Sequence, residues 1–153
     1  MRTTIEWITI EKAASEIPDK GFSILLSHTP EIYRQAAHAG FDLLVSGHTH
    51  GGQICLPGPI PITLDSVLPR HMGSGPWKHG DMVGYTSVGV GTSVVPVRIN
   101  CLPEITLHHL QRSDEPLDTV GQRQMRSTVY AVGVTGAVNT LTQRRSPLCE
   151  VQR

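Results

Sequence analysis

The chain has 153 residues, a formal net charge of zero and three cysteines. This length is enough for one domain with its own core, and the balanced charge argues against a nucleic-acid binder held by bulk electrostatics. The cysteines are odd in number and far apart, which predicts neither a disulfide framework nor a cysteine zinc site. No apolar run reaches transmembrane length, so we expect no membrane-spanning segment and a chain that is cytoplasmic or peripheral to a membrane.

The first half of the chain predicts a βαβ unit. Residues 23–27 and 41–45 are short apolar runs typical of buried strands. Between them, Thr29 can cap a helix with Pro30 at its first position, and Gly40 can end that helix. A βαβ unit has two parallel strands joined by a right-handed crossover, so we expect the carboxyl ends of both strands at the same sheet edge.

Histidines follow both predicted strands. His28 comes directly after the first, and His48 and His50 lie in the sequence Ser-Gly-His-Thr-His-Gly-Gly-Gln at residues 46–53. Ligands of open α/β sheets gather at the carboxyl ends of strands, and neutral imidazole is the commonest metal ligand in proteins. A single loop histidine would carry no weight, but repetition at two strand ends favours a site for one metal ion or an adjacent pair.

Residues 55–81 are rich in proline and glycine and predict a long loop, which we expect to form a rim over the metal site. Arg70, Trp77 and Lys78 lie on it, and we take them as candidates for contact with a phosphate ester. A solvated loop with incidental charges is an equally open interpretation of each of these residues.

The remainder of the chain has the composition of β-strands. Residues 83–88, 94–99 and 104–110 predict strands with antiparallel neighbours, because glycine and proline separate them. His38, His108 and His109 are interpreted as surface or structural residues. Residues 111–153 are expected to form a poorly ordered extension, with a basic surface segment and an additional hairpin as the alternatives.

The histidine motifs resemble a known family. Leu-Ser-His-Thr-Pro-Glu at residues 26–31, followed by the motif at 46–53, is similar to the last two metal motifs of the calcineurin-like metallophosphoesterases. The likeness is greatest to bacterial, often membrane-associated members, and it extends from about residue 20 to about residue 110. It implies an α/β fold in which residues 1–110 form the C-terminal half of a four-layer α/β/β/α sandwich, a βαβ unit followed by β-strands.

The resemblance also implies a chemistry, which is metal-dependent hydrolysis of phosphomonoester, phosphodiester or pyrophosphate bonds by two divalent ions. His28 and His48 would bind one ion and His50 the other, and manganese, iron and zinc all suit such ligands. The implied substrate is a phosphate ester, with a lipid-linked sugar nucleotide among the known substrates of this branch. No nucleic-acid partner is expected.

The chain departs from the family pattern in one respect. The motifs D-x-H, G-D-x-x-D and G-N-H-E, which supply the bridging aspartate and a catalytic histidine, do not occur in it, and Gly84 stands where Gly80-Asp81 would need a second aspartate. We therefore assign no catalytic residue, and expect the chain to be inactive by itself and to need an N-terminal half as partner. The alternative is a catalytically dead metal-binding or interaction module that has retained the fold.

Overall fold

The computed structural model describes residues 10–15, 17, 21–64 and 66–110 with their side chains, and three later strands as backbone. The strands are β1 (Ile24–Ser27), β2 (Leu43–Ser46), β3 (Cys55–Leu56), β4 (Ile60–Pro61), β5 (Gly75–His79), β6 (Met82–Thr86), β7 (Glu104–Leu110), β8 (Gln122–Gly133), β9 (Thr140–Arg145) and β10 (Cys149–Gln152). Residues 10–14 are helical. The helix α1 spans Tyr33–His38, and 3-10 turns span Pro30–Ile32, His50–Gly52 and Arg70–Met72.

The predicted βαβ unit is confirmed. β1 and β2 are parallel, with Ser27 opposite Ser46, and between them the Thr29 side chain accepts the backbone N–H of Glu31 at 3.3 Å. Pro30 begins the 3-10 turn that leads into α1. The first sheet has the order β1-β2-β6-β5. Because β6 is also parallel to β2, the carboxyl ends of β1, β2 and β6 meet at one edge.

Two expectations about the later strands are wrong. Residues 75–79, expected in a loop, form β5, which pairs antiparallel with β6 through a turn at Gly80. Pro76 is tolerated there because β5 is an edge strand, where a missing N–H breaks no ladder. Residues 94–99, expected as a strand, form only one isolated bridge, from Ile99 to Ile54. Val94 is fully exposed and has a positive φ of 62°, and among the described residues no strand pairs with this apolar run.

The main core fills the helical face of the first sheet. Its buried residues are Ile10, Tyr33, Ala36, Phe41, Leu44, Met72, Trp77 and Met82. The Trp77 ring packs against Gly84 of β6, where a Cβ would come within 2.2 Å of it. The indole N–H donates to Thr86 Oγ1 at 2.8 Å. Tight packing of this kind fixes β5 on the sheet.

The second sheet covers part of the other face. β7 pairs antiparallel with β8 along its whole length, and β8 also pairs with β9 and β10. The Tyr85 hydroxyl of β6 donates to Glu104 Oε1 at 3.1 Å, and the Tyr85 ring lies 4.8 Å from that of His108. Helices, a mixed sheet and a second sheet give the expected α/β class of a partial metallophosphoesterase fold.

The proposed boundary after residue 110 and the poor order expected of residues 111–153 stay predictions. Residues 111–121, 134–139, 146–148 and 153 lie outside the described part of the chain. Among the residues that are described, no helix is long and apolar enough to cross a bilayer.

Candidate metal centre

The structure brings His28 and His48 together. Each follows a strand of the parallel pair β1–β2, and the backbone N–H of Gly47 donates to the carbonyl of His28 at 3.3 Å, which extends the pairing beyond the strands. The centroids of the two imidazole rings lie 4.7 Å apart, with an angle of 58° between the ring planes. Both residues are exposed. Two imidazole rings at this spacing on an open edge can serve one divalent ion together.

The loop after β2 has an unusual backbone. His48, His50 and Gln53 have φ values of 70°, 49° and 57°, in the left-handed region that costs a non-glycine residue about 1–2 kcal/mol. Such conformations persist only where surrounding contacts impose them, and they are concentrated at functional sites. The contacts that impose this loop are therefore part of the candidate site.

Thr49 and the two glycines hold the loop from inside. The buried Thr49 hydroxyl donates to the carbonyl of Gly73 at 2.6 Å and accepts the N–H of Gly51 at 3.2 Å. A Cβ at Gly51 would lie 2.6 Å from Val88 Cγ1, and one at Gly52 would lie 2.6 Å from a backbone oxygen. These two glycines therefore allow the neighbouring segments at Val88 and at residues 61–63 to pack closely against the loop.

His50 lies beside a guanidinium group. Its Nδ1 is 3.5 Å from an Nη of Arg98, and its carbonyl accepts the Cys101 thiol at 3.2 Å. Cys101 packs in a small buried cluster with Cys55 and Val88. Burial raises the pKa of the Cys55 thiol, and the neighbouring Cys101 raises it further, so Cys55 is held as a neutral thiol.

No third ligand joins the His28–His48 pair within the described residues, where no group of three histidine, cysteine, aspartate or glutamate side chains could hold a metal ion. Asp42 lies at the opposite end of β2, where it accepts the N–H of Ser23 at 2.8 Å. Asp81 lies in the turn between β5 and β6, also away from the histidine edge. Neither carboxylate takes the place of the missing aspartates.

The three candidate substrate contacts fall in different places. Arg70 is exposed on a 3-10 turn that is fastened to the histidine edge, because Thr86 Oγ1 donates to the Met72 carbonyl at 2.7 Å. Lys78 pairs with Val83 at the other end of the sheet, about 10 Å from the histidine edge at 3.3 Å per residue. Trp77 is buried and 4% exposed, so it serves the core and presents no surface to a substrate.

Two residues that hold this loop, Gln53 within it and Arg98 beside it, were not found from the sequence. The Gln53 amide donates to the carbonyls of Ser93 and Val95, at 3.0 and 2.8 Å, and accepts the N–H of Ser93 at 2.6 Å. Both residues lie within the part of the chain that resembles the metallophosphoesterases, and that resemblance was the sequence signal that could have pointed to them. Gln53 meets Ser93 across 40 residues of the chain and Arg98 meets His50 across 48, and no local pattern reveals such contacts.

Comparisons with known proteins bear on this geometry. The chain is 36% identical over 93 residues to YkoQ of Bacillus subtilis, named an uncharacterized metallophosphoesterase, covering 60% of this chain and 34% of that protein. It is 35% identical over 106 residues to YkuE of the same organism, with the same description, covering 68% and 36%. It is 33% identical over 87 residues to the phosphodiesterase YaeI of Escherichia coli, covering 57% and 32%.

Over its matched part, the chain is similar to proteins named metallophosphoesterases or phosphodiesterase, which supports the calcineurin-like family there. No family model matches it, and no solved structure matches it significantly. The chain spans about a third of the length of the curated metallophosphoesterases it matches. The names of these relatives imply dependence on divalent metal ions in general, and the exposed pair His28–His48 carries the kind of side chain that binds such ions.

Proposed function

We propose that this chain supplies histidine ligands to the metal centre of a phosphoesterase. The observation that carries the proposal is the convergence of His28 and His48 from two adjacent parallel strands, with ring centroids 4.7 Å apart. Both are exposed, as ligands of an ion that meets substrate must be. The reaction class is hydrolysis of a phosphomonoester, phosphodiester or pyrophosphate bond.

In this proposal His28 and His48 bind one divalent ion and His50 a second. Imidazole nitrogens suit manganese, iron and zinc alike. A bound ion would neutralise the charge of a phosphate ester and activate water for attack on phosphorus. Arg70, on the turn fastened to the same edge, is the candidate for a charge-assisted hydrogen bond to the ester. We restrict the substrate class to phosphate esters, because no described contact singles out a lipid-linked sugar nucleotide.

The proposed partner is a segment that carries the family's carboxylate motifs. D-x-H, G-D-x-x-D and G-N-H-E do not occur in this chain, and without a bridging carboxylate two cations are not held close enough to share one hydroxide. We therefore expect weak metal binding and no hydrolysis by the chain alone. We expect activity when a segment with those motifs pairs with it.

Zinc titration by calorimetry tests the metal ligands. His28→Ala is the cleanest variant, because His28 has no positive φ that a substitution would disturb. It should abolish most of the heat of binding, and His48→Ala should do the same. His38→Ala, on the exposed end of α1, is the matched control and should bind zinc as the unmodified chain does. Zinc binding that survives His28→Ala and His48→Ala together would contradict the assignment.

Hydrolysis of bis(p-nitrophenyl) phosphate with manganese tests the partner. The full chain should be inactive alone and should gain turnover when mixed with the N-terminal half of a family member chosen because it carries D-x-H, G-D-x-x-D and G-N-H-E. That turnover should disappear with His28→Ala or His50→Ala and persist with His38→Ala. Robust turnover by the chain alone, lost in the same variants, would overturn the need for a partner.

The second candidate, a catalytically dead metal-binding or interaction module, is favoured by a separate observation. In the described residues no third metal ligand converges on His28 and His48. Complete failure of the mixture to gain activity, with zinc binding intact in calorimetry, would support this candidate over the first.

A further inference from the structure

Arg98 lies at the centre of a hydrogen-bonding cluster beside the candidate site. Its Nε donates to the Gly91 carbonyl at 2.9 Å, and one Nη donates to the carbonyls of Val88 and Gly89 at 2.7 and 3.2 Å, as well as to that of Gly91. The other Nη reaches the carbonyls of His50 and Cys101 at 3.5 and 3.4 Å. One side chain thus joins three separate segments: the histidine loop, residues 88–91 and Cys101.

The shape of the guanidinium matters more here than its charge. Among the described residues, the partners of Arg98 are backbone carbonyls, the Cys101 sulfur and the imidazole of His50, and none is a carboxylate. A guanidinium offers five N–H donors in a fixed plane. A lysine ammonium has the same charge but donates from a single point, and it cannot reach carbonyls on both sides of the loop.

Hydrogen bonds from Arg98 can hold His50 in a backbone conformation that is otherwise unfavourable. The His50 φ of 49° is unfavourable for a residue with a side chain, whereas Gly51 after it adopts a φ of 62° without that cost. Arg98 contacts His50 twice, at the carbonyl and at Nδ1, both at 3.5 Å. The ring and the backbone of His50 are therefore oriented by the same guanidinium.

We propose that Arg98 is a positioning residue for His50: its planar guanidinium, rather than its charge, fixes the loop and the imidazole with respect to residues 88–91. This inference rests on the proposed function, in which His50 is a metal ligand. Groups that orient a metal-binding histidine affect metal affinity without touching the metal, typically by about 10- to 100-fold.

NMR of the metal-free full chain tests the positioning directly. Arg98→Lys should shift the imidazole signals of His50 and leave those of His28 and His48 nearly unchanged. Arg34→Lys is the matched control, since Arg34 is exposed on α1 and, among the described residues, its Nε donates to the adjacent Tyr33 hydroxyl at 2.9 Å; it should move none of the three. Unchanged His50 signals in Arg98→Lys, or equal shifts of all three histidines, would overturn the proposal.

A measurement on the unmodified chain covers the case in which Arg98→Lys does not fold. A guanidinium held on both sides rotates slowly about its Cζ–Nη bonds, so at low temperature Arg98 should give separate Nη signals while the exposed Arg34 gives an averaged one. An averaged signal for Arg98 would contradict the proposal.

Zinc added to the same samples separates this inference from the proposed function. If both hold, the His50 signals respond to zinc, and Arg98→Lys shifts that response to about tenfold higher zinc. A chain whose three histidines ignore zinc, while Arg98→Lys still shifts His50, would contradict the metal site and leave the positioning role standing. A zinc response of His50 that is identical in both chains would overturn the role of Arg98.

Discussion

At the scale of single residues, Gly84 is the position where packing leaves no room. A Cβ there would come within 2.2 to 2.3 Å of three atoms of the Trp77 ring, which is itself buried and hydrogen-bonded. We predict that Gly84→Ala lowers the free energy of unfolding by about 1–3 kcal/mol, the usual cost of overpacking. Urea denaturation measures this.

Gly91→Ala is the matched control for that substitution. A Cβ at Gly91 meets no atom within 4 Å, and its φ is not positive. The expected change in unfolding free energy is within about 0.5 kcal/mol, as for most surface positions. Equal stability losses in the two variants would show that the Trp77–Gly84 contact is not the cause.

The positions of some residues could be predicted from the sequence, because a topological rule determines their neighbours. His28 and His48 could be placed together because both follow strands of one βαβ unit, and parallel strands end at one edge. Prediction from the sequence failed at Trp77, where an aromatic residue amid prolines and glycines was interpreted as a loop contact. That residue is 4% exposed, and burial depends on the strand pairing around it rather than on neighbours in sequence.

At the scale of elements, β7 carries a titratable group at the contact between the two sheets. His108 is half-buried against the Tyr85 ring, with the centroids 4.8 Å apart. Burial lowers the pKa of His108 below its ordinary value of 6.5. The folded chain therefore holds this imidazole neutral at a pH where the unfolded chain already protonates it.

The predicted consequence is a stability that falls in mild acid. The contribution of His108 is complete above pH 6.5, the ordinary value, and it is lost as the pH falls from there towards the lowered pKa, because only the unfolded state gains a proton. Denaturation at several pH values should show this slope, and His108→Gln should remove it. His109→Gln, exposed on the opposite face of β7, should retain the slope; an unaltered slope in His108→Gln would rule out this origin.

The elements that sequence reasoning found are those with strong local signals. The first two strands and the capped turn between them follow from apolar runs, Thr29 and Pro30. β5 was missed because Pro76 and the surrounding glycines signal a loop, and an edge strand tolerates them. Residues 94–99 were wrongly predicted as a strand, because β-branched composition says nothing about whether a partner strand is present.

At the scale of the whole molecule, β7 has β8 as its described partner. The two strands pair from Glu104 opposite Ala131 to Leu110 opposite Met125, while Ile105 and Leu107 are about half exposed, at 55% and 48%. An unpaired strand with apolar side chains is a site of aggregation. We predict that truncation after Leu110 lowers the soluble yield and promotes association, as measured by light scattering.

Truncation after Arg145 is the matched control, because it retains β7, β8 and β9 and removes only β10. It should stay closer to the full chain in solubility. The composition of residues 111–153 suggests instead a poorly ordered extension. In that case both truncated chains should be as soluble as the full chain. The experiment therefore decides between the strand pairing and the expectation from composition.

The hydrogen bonds that hold the histidine loop also imply an order of events during folding. The pairing that brings His28 beside His48 joins Ser27 to Ser46, whereas Gln53 meets Ser93 across 40 residues and His50 meets Arg98 across 48. Shorter chain loops close at a smaller entropic cost, and contacts local in sequence form sooner. The sheet edge that carries His28 and His48 can thus form during synthesis before residues 93–101 have been made. The orientation of His50 is fixed only after those residues are present.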